Sequence, residues 1–246
     1  MTRVSRPRPR LLDVEELPRD PRQRRSADKR ARLKDAALQL FGEQGFEKTS
    51  VDQIARRAGL AVGGFYQHFR SKRQLLVTLM DELVEHLSRL ALRPSIGRDP
   101  RRALHDLLAA AFDRDLRYLG AYRAWEEAVL SDPELGRKDD TLHSWTTGRV
   151  ESVFSALQRR PGARPQVDVS ALARAMDNFF WSLLARAVRM RTAEIAESVD
   201  TATHLIYHAL FTDGTRSGGR PKKGVRRLSG RSPSTRRTAA ARRRRS

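Results

Sequence analysis

The chain has no cysteine, so neither disulfide bonds nor thiolate metal sites are open to it. It has no apolar run near the ~18 residues that a membrane span needs. Its charged start lacks the apolar stretch of a secretory signal. Strand-like alternation is scarce, while apolar residues recur at 3-4 spacing over long stretches, which predicts an all-α protein. The six histidines are scattered and form no nucleophile–base constellation. His204 and His208 stand four apart on one helix face, but without the intervening Glu of a zinc hydrolase or an evident third ligand. Gly59, Gly63 and Gly64 follow no strand and match no nucleotide-loop spacing. The expectation is a soluble, cytoplasmic, non-enzymatic chain with no metal and no cofactor.

Acidic residues are missing where basic ones are densest. The formal charge is +20, and after Asp213 there are thirteen Lys and Arg with no acid. Residues 1–26 carry eight Arg against four acids, which leaves only +3 for the middle of the chain. Both ends are rich in Arg, Pro, Ser and Gly and poor in aromatics. Such arms cannot bury enough apolar surface to offset ordering entropy, so 1–26 and 214–246 are expected to be disordered. They serve as solvating tails or as sequence-independent phosphate contacts, each neutralised phosphate adding about −0.9 to the slope of log affinity against log salt.

What is present is concentrated between Thr49 and Leu76. Val51, Ile54, Ala55 and Ala58 give a short helix one apolar face, and Gly59 suits the left-handed position that ends it. The following segment, Val62 to Phe69, spans about two turns and mixes Gly, Gln, Tyr and His. A helix that small is not there for core burial alone, and the pair reads as a helix-turn-helix. Phe41, Gly45, Phe46, Thr49, Ile54, Ala55, Ala58, Gly59, the run from Gly63 to Phe69 and the Ser71-Lys72 pair resemble the DNA-binding domain of TetR/AcrR-type transcriptional regulators. The resemblance covers residues 27–92. Ala61 stands where that family more often has a capping Ser or Thr, and Gly64 where a small polar residue is frequent.

The residues suggest distinct roles in this segment. A first helix near 26–44, with Ser26 or Asp28 as cap, clamps the other two through Leu33, Ala36, Ala37, Leu40 and Phe41. Val62 can touch a thymine methyl, and Gln67 has the paired donor and acceptor that reads adenine. Gly63 and Gly64 each cost about 1 kcal/mol against Ala in a helix interior. That penalty makes sense if something approaches closely, whether a groove floor or a neighbouring helix. Phe65 and Phe69 anchor the helix. Ser71 caps a fourth helix running to about Leu92, and Lys72 in its first turn joins the helix end in a phosphate clamp. The resemblance implies that Thr49 and Tyr66 also reach backbone phosphates. Thr49 and Ser50 are equally natural caps, and His68 is either a further phosphate contact or a satisfied buried histidine.

Beyond a turn-rich break at Pro94–Pro100, helices are expected near 100–119, 121–131, 138–160, 168–190 and 193–212, with breaks at Pro133, Pro161 and Pro165. The last two are the most apolar, and they would either cover one another in a two-fold four-helix homodimer interface, as the resemblance also implies, or form a helical core within one subunit. Phe112, Tyr118, Tyr122, Trp125, Trp145 and Phe154 lie where the resembling regulators hold a small-molecule cavity, with His105, His143, Asn178 and Arg123 as polar candidates. Of these, Phe112, Tyr122, Trp125, Trp145, Phe154 and Asn178 form the expected ligand set. The whole reads as an N-terminal helix-turn-helix domain joined by a long helix to a helical effector-binding and dimerisation domain, 93–213. Its partners would be double-stranded DNA and an unidentified effector. Two rivals are a non-specific DNA coater driven by the arms and a small-molecule sensor without DNA readout.

Overall fold

The computed structural model describes residues 7–12, 24–89 and 99–212, and the expected break at Pro94–Pro100, apart from Asp99 and Pro100, and the basic tail lie outside them. Every named element is a helix: α1 Arg24–Gln44, α2 Val51–Arg57, α3 Val62–Tyr66, α4 Lys72–Arg89, α5 Pro100–Asp115, α6 Leu119–Ser131, α7 Pro133–Gln158, α8 Val169–Ala187 and α9 Thr192–Leu210, with a 3-10 turn at Leu116–Tyr118 between α5 and α6. The only described extended pairing joins the backbones of Ala163 and Phe211.

Side-chain chemistry sets the helix starts. Ser50 caps α2 in a reciprocal box: its Oγ accepts from the Gln53 amide at 3.1 Å, and Gln53 Oε1 accepts from the Ser50 amide at 2.8 Å. Asp132 caps α7, its Oδ1 accepting from the amides of Glu134 and Leu135. Pro133 therefore opens α7 rather than breaking the chain ahead of it, and the helix begins five residues before the expected 138. Asp168 caps α8 in the same way. Helix α1 begins at Arg24, so Ser26 and Asp28 lie inside it rather than at its cap. Gly45 (φ 85°) and Gly59 (φ 66°) take the left-handed conformation that ends α1 and α2, as expected.

Leu33, Ala37, Phe41, Ile54, Phe65, Phe69 and Leu75 close a small core inside the helix-turn-helix. Helix α6 then docks the head to the remaining helices. It packs on α1 and α4 on one side and on α7 and α8 on the other. Polar bonds reinforce that seam. An Arg123 N–H donates to the Gly42 carbonyl at 2.7 Å, Glu127 accepts from the Phe46 amide at 2.7 Å, and Arg73 reaches both Asp132 at 2.6 Å and Glu134 at 2.9 Å.

One expectation fails in the N-terminal arm. Residues 7–12 are seated on the fold: Leu11 is fully buried, its amide donates to Asp81 at 2.9 Å, and Lys138 donates to its carbonyl at 2.7 Å. Arg8 pairs with Asp81 and Glu85. Composition argued for disorder, yet one leucine with satisfied backbone groups suffices to order a short segment.

Candidate functional site

The first candidate surface is α3. It is five residues long, shorter than the expected 62–69, and Gln67 already forms its C-cap. Phe65 and Phe69 are buried, at 0% and 1% exposed, and hold the helix by one edge. The opposite edge is bare: Val62 is 38% and Tyr66 56% exposed, and Gly63 and Gln67 are also exposed. A Cβ built on Gly63 meets nothing within 4 Å, and one on Gly64 meets only the Leu60 side chain at ordinary contact distance. Among the described residues, no neighbouring helix demands either glycine. Ala61 stands at the N-cap and makes no side-chain bond there.

The flanking residues divide. Thr49 is 2% exposed, and its hydroxyl donates to the Gly45 carbonyl at 2.6 Å while accepting from Gln44. Its hydroxyl is thus turned inward, and the cap of α2 is Ser50. His68 is 8% exposed and occupies the buried alternative. Burial, with Arg30 and Lys29 nearby, holds its pKa below the usual histidine value. Ser71 accepts from the Gln74 amide at the start of α4. The Lys72 ammonium sits 4.1 Å from the centre of the Phe46 ring and donates to the Phe46 carbonyl at 2.6 Å, half-buried with its pKa lowered by desolvation. It is therefore a tie within the head as well as a positive charge beside α3.

The second candidate surface is a cavity among α4, α5, α6, α7 and α8, with about 880 Å³ of space including its open mouth. Its aromatic wall is Phe112, Tyr122, Trp145, Phe154, Phe180 and Trp181. Four of the six residues expected from sequence are brought together there, and two are not. Trp125 is buried but turned to α7, donating from Nε1 to Asp139 at 2.7 Å. Asn178 is exposed. It follows Asp177, which does line the cavity, and one residue turns a helix by about 100°. Among the other polar candidates, Arg123 belongs to the α1–α6 seam, His105 meets Asp106 and Asp200, and His143 stands behind the wall, its Nδ1 2.7 Å from Asp177.

Comparison with known proteins bears on the first of these surfaces. Residues 33–79 match the model of bacterial regulatory proteins, tetR family. The helix-turn-helix of this chain is thus of the TetR type. It is 28% identical over 181 residues to the HTH-type transcriptional regulator BetI of Cronobacter sakazakii, covering 70% of this chain and 87% of that one. In fold, the chain is similar to NalD of Pseudomonas aeruginosa, the secondary repressor of the MexAB-OprM multidrug efflux pump (TM-score 0.54, 22% identity, 78% of this chain and 100% of that one). It is also similar to SmeT in its triclosan complex (TM-score 0.57, 20% identity, 81% and 99%).

Sequence reasoning missed the lining residues of α8, and on α7 it found Trp145 and Phe154 but missed Thr146, Arg149, Val150 and Val153. Asp177, Phe180, Trp181 and Leu184 form one 3-4 stripe on α8, while Leu172, Met176, Phe179 and Leu183 form another. Reading the apolar residues of α8 as a single face assigned them all to dimerisation. The double stripe was present in the sequence. Arg149, on an otherwise ordinary charged helix, carried no such signal.

Proposed function

We propose that this chain is a TetR-family regulator, a homodimeric repressor that binds a palindromic operator through α3 and leaves it when a small molecule fills the cavity. The observation that carries this reading is the span of α4. Lys72 at its start flanks the recognition helix, and Leu87 near its end lines the cavity, about 22 Å away at 1.5 Å per residue. One rigid helix thus touches both surfaces, and a ligand that favours one position of α4 biases the other end. Residues 27–92 serve as the DNA-binding domain and 93–213 as the effector and dimerisation domain. Phe112, Tyr122, Trp145 and Phe154 contact the effector.

On the DNA side, Val62 and Gln67 read bases, Gly63 and Gly64 allow close approach, and Tyr66, Ser71 and Lys72 engage phosphate. The half-exposed stripe Leu172, Met176, Phe179 and Leu183, with Leu205 51% exposed on α9, supports a two-fold interface through α8 and α9. The protein acts in the cytoplasm, and no helix among the described residues is long and apolar enough to cross a membrane.

Selection from random duplex DNA with the full chain at moderate salt tests this. Recovery of a two-fold symmetric site with half-sites about 34 Å apart is expected. Gln67→Ala then relaxes preference at one base, a change of about 1–3 kcal/mol, while Tyr66→Phe weakens binding to all sequences alike. No enriched site, with binding lost on removing 214–246, favours an arm-driven coater instead.

A further inference from the structure

Two charged residues are found among the described lining of the cavity, Arg149 and Asp177, and both are engaged by the protein itself. Asp177 is 4% exposed and bonded to His143, whose ring lies between Asp177 at 2.7 Å and Asp139 at 3.7 Å. Burial alone would lower the His143 pKa, but the Asp177 bond, with Asp139 and Asp140, overrides it and raises the value. The two form an imidazolium–carboxylate pair, and its charge is cancelled in place. Arg149 donates to the Leu87 carbonyl at 2.9 Å, lies 5.0 Å from the centre of the Trp145 ring, and has a further partner besides. The hydroxyl of Thr146, also in the lining, bonds back to the carbonyls of Leu142 and His143.

An ion entering this wall gains little. A ligand carboxylate would have to take the Arg149 guanidinium from contacts it already has, and a ligand ammonium would have to take Asp177 from the His143 imidazolium. Either exchange replaces one favourable contact by another, while the ion's own lost hydration goes uncompensated. An uncharged molecule gives up no ionic hydration. It meets aromatic rings that already pack edge-to-face across helices, Phe112 on Phe180 at 5.8 Å and Tyr122 on Trp181 at 5.0 Å, and its apolar surface is removed from water.

We propose that the cavity takes an uncharged, apolar molecule and discriminates against ions of either sign, because the charges in its wall are spent on neighbours within the protein. This rests on the reading of the cavity as the effector site and names the chemical class it takes. An acid, an alcohol and an amine on one skeleton are then ranked by their charge, with the alcohol first.

The test is calorimetric titration of the full-length protein at neutral pH with three probes of one shape: 2-naphthylacetic acid, 2-(2-naphthyl)ethanol and 2-(2-naphthyl)ethylamine. The alcohol is expected to bind about tenfold or more tighter than either ion. Two substitutions at Ala111, which lines the cavity on α5, check where and why. Ala111→Trp fills the space and should abolish binding of the alcohol. Ala111→Asp adds a carboxylate to the lining and should improve the amine relative to the alcohol by about tenfold. Acid or amine binding as tightly as the alcohol to the wild-type protein, or no gain for the amine in Ala111→Asp, overturns the class assignment but leaves the cavity reading intact. Binding of none of the three probes, or of the alcohol undiminished in Ala111→Trp, overturns the cavity reading and the assignment with it.

Discussion

Gly120 on α6 lies directly against the backbone of Leu38 on α1: a Cβ at position 120 would overlap the Leu38 carbonyl. The two helices therefore meet with no side chain between them at this point, and α1 and α6 can close only because residue 120 has none. Gly120→Ala forces the two helices apart. Overpacking of this kind costs about 1–3 kcal/mol, against a small propensity gain from replacing glycine. Gly148 on α7 is the control, because a Cβ there meets nothing within 4 Å. In urea titrations Gly120→Ala should lower the midpoint and Gly148→Ala should raise it. A rise for both would show that the seam is not closely packed.

The seated arm makes a second expectation. Leu11 is completely buried, and its amide and carbonyl are satisfied by Asp81 on α4 and Lys138 on α7. It thus ties a DNA-side helix to a cavity-side one. Leu11→Ala removes the anchor and should cost about 2 kcal/mol or more in unfolding free energy. Raising salt should cost far less, because the Arg8 pairs with Asp81 and Glu85 are partly solvated. An unchanged midpoint for Leu11→Ala would mean that the arm does not hold the fold.

Two histidines should titrate with opposite effect. The His143 pKa is raised, so its contribution is fully present below the unfolded value of about 6.5 and fades as pH rises through the folded one. The His68 pKa is lowered by burial, Arg30 and Lys29, so its contribution is present above about 6.5 and lost as pH falls through the depressed value. Stability lost by His143→Gln should accordingly be larger at pH 5.5 than at pH 8.5, and the loss from His68→Gln should change in the reverse sense. Losses independent of pH in denaturant titrations would contradict both assignments.

The head was legible because its information is local. Gly45 and Gly59 mark left-handed positions, and Phe65 and Phe69 four apart mark the anchored edge of α3, so composition and spacing suffice. The cavity was half legible. Aromatic residues at helical spacing give a candidate list, but the direction of each depends on the neighbouring helix, which is why Tyr122 faces the cavity and Trp125 faces Asp139. The start of α7 was placed at 138 because Pro133 was weighed as a break, although Asp132 ahead of it fits the helix start that the structure shows. The seated arm was hidden because its order depends on Asp81 and Lys138, some 70 and 127 residues away in the chain.

The glycines of α3 offer a prediction in which stability and function part company. Gly63 has open space around its missing Cβ, so Gly63→Ala should stabilise the free protein, by at most about 1 kcal/mol since the position lies in the first turn of the helix. If the groove floor is what needs the glycine, the same added methyl must weaken binding to the selected operator, because nothing within the subunit has changed. Thermal melting should therefore show an equal or higher Tm, while fluorescence anisotropy on the operator should show a larger Kd. Gly64→Ala is the weaker companion, since its methyl touches Leu60 at ordinary contact distance. An unchanged Kd for Gly63→Ala would remove close DNA approach as the reason for this residue and leave its helix penalty unexplained.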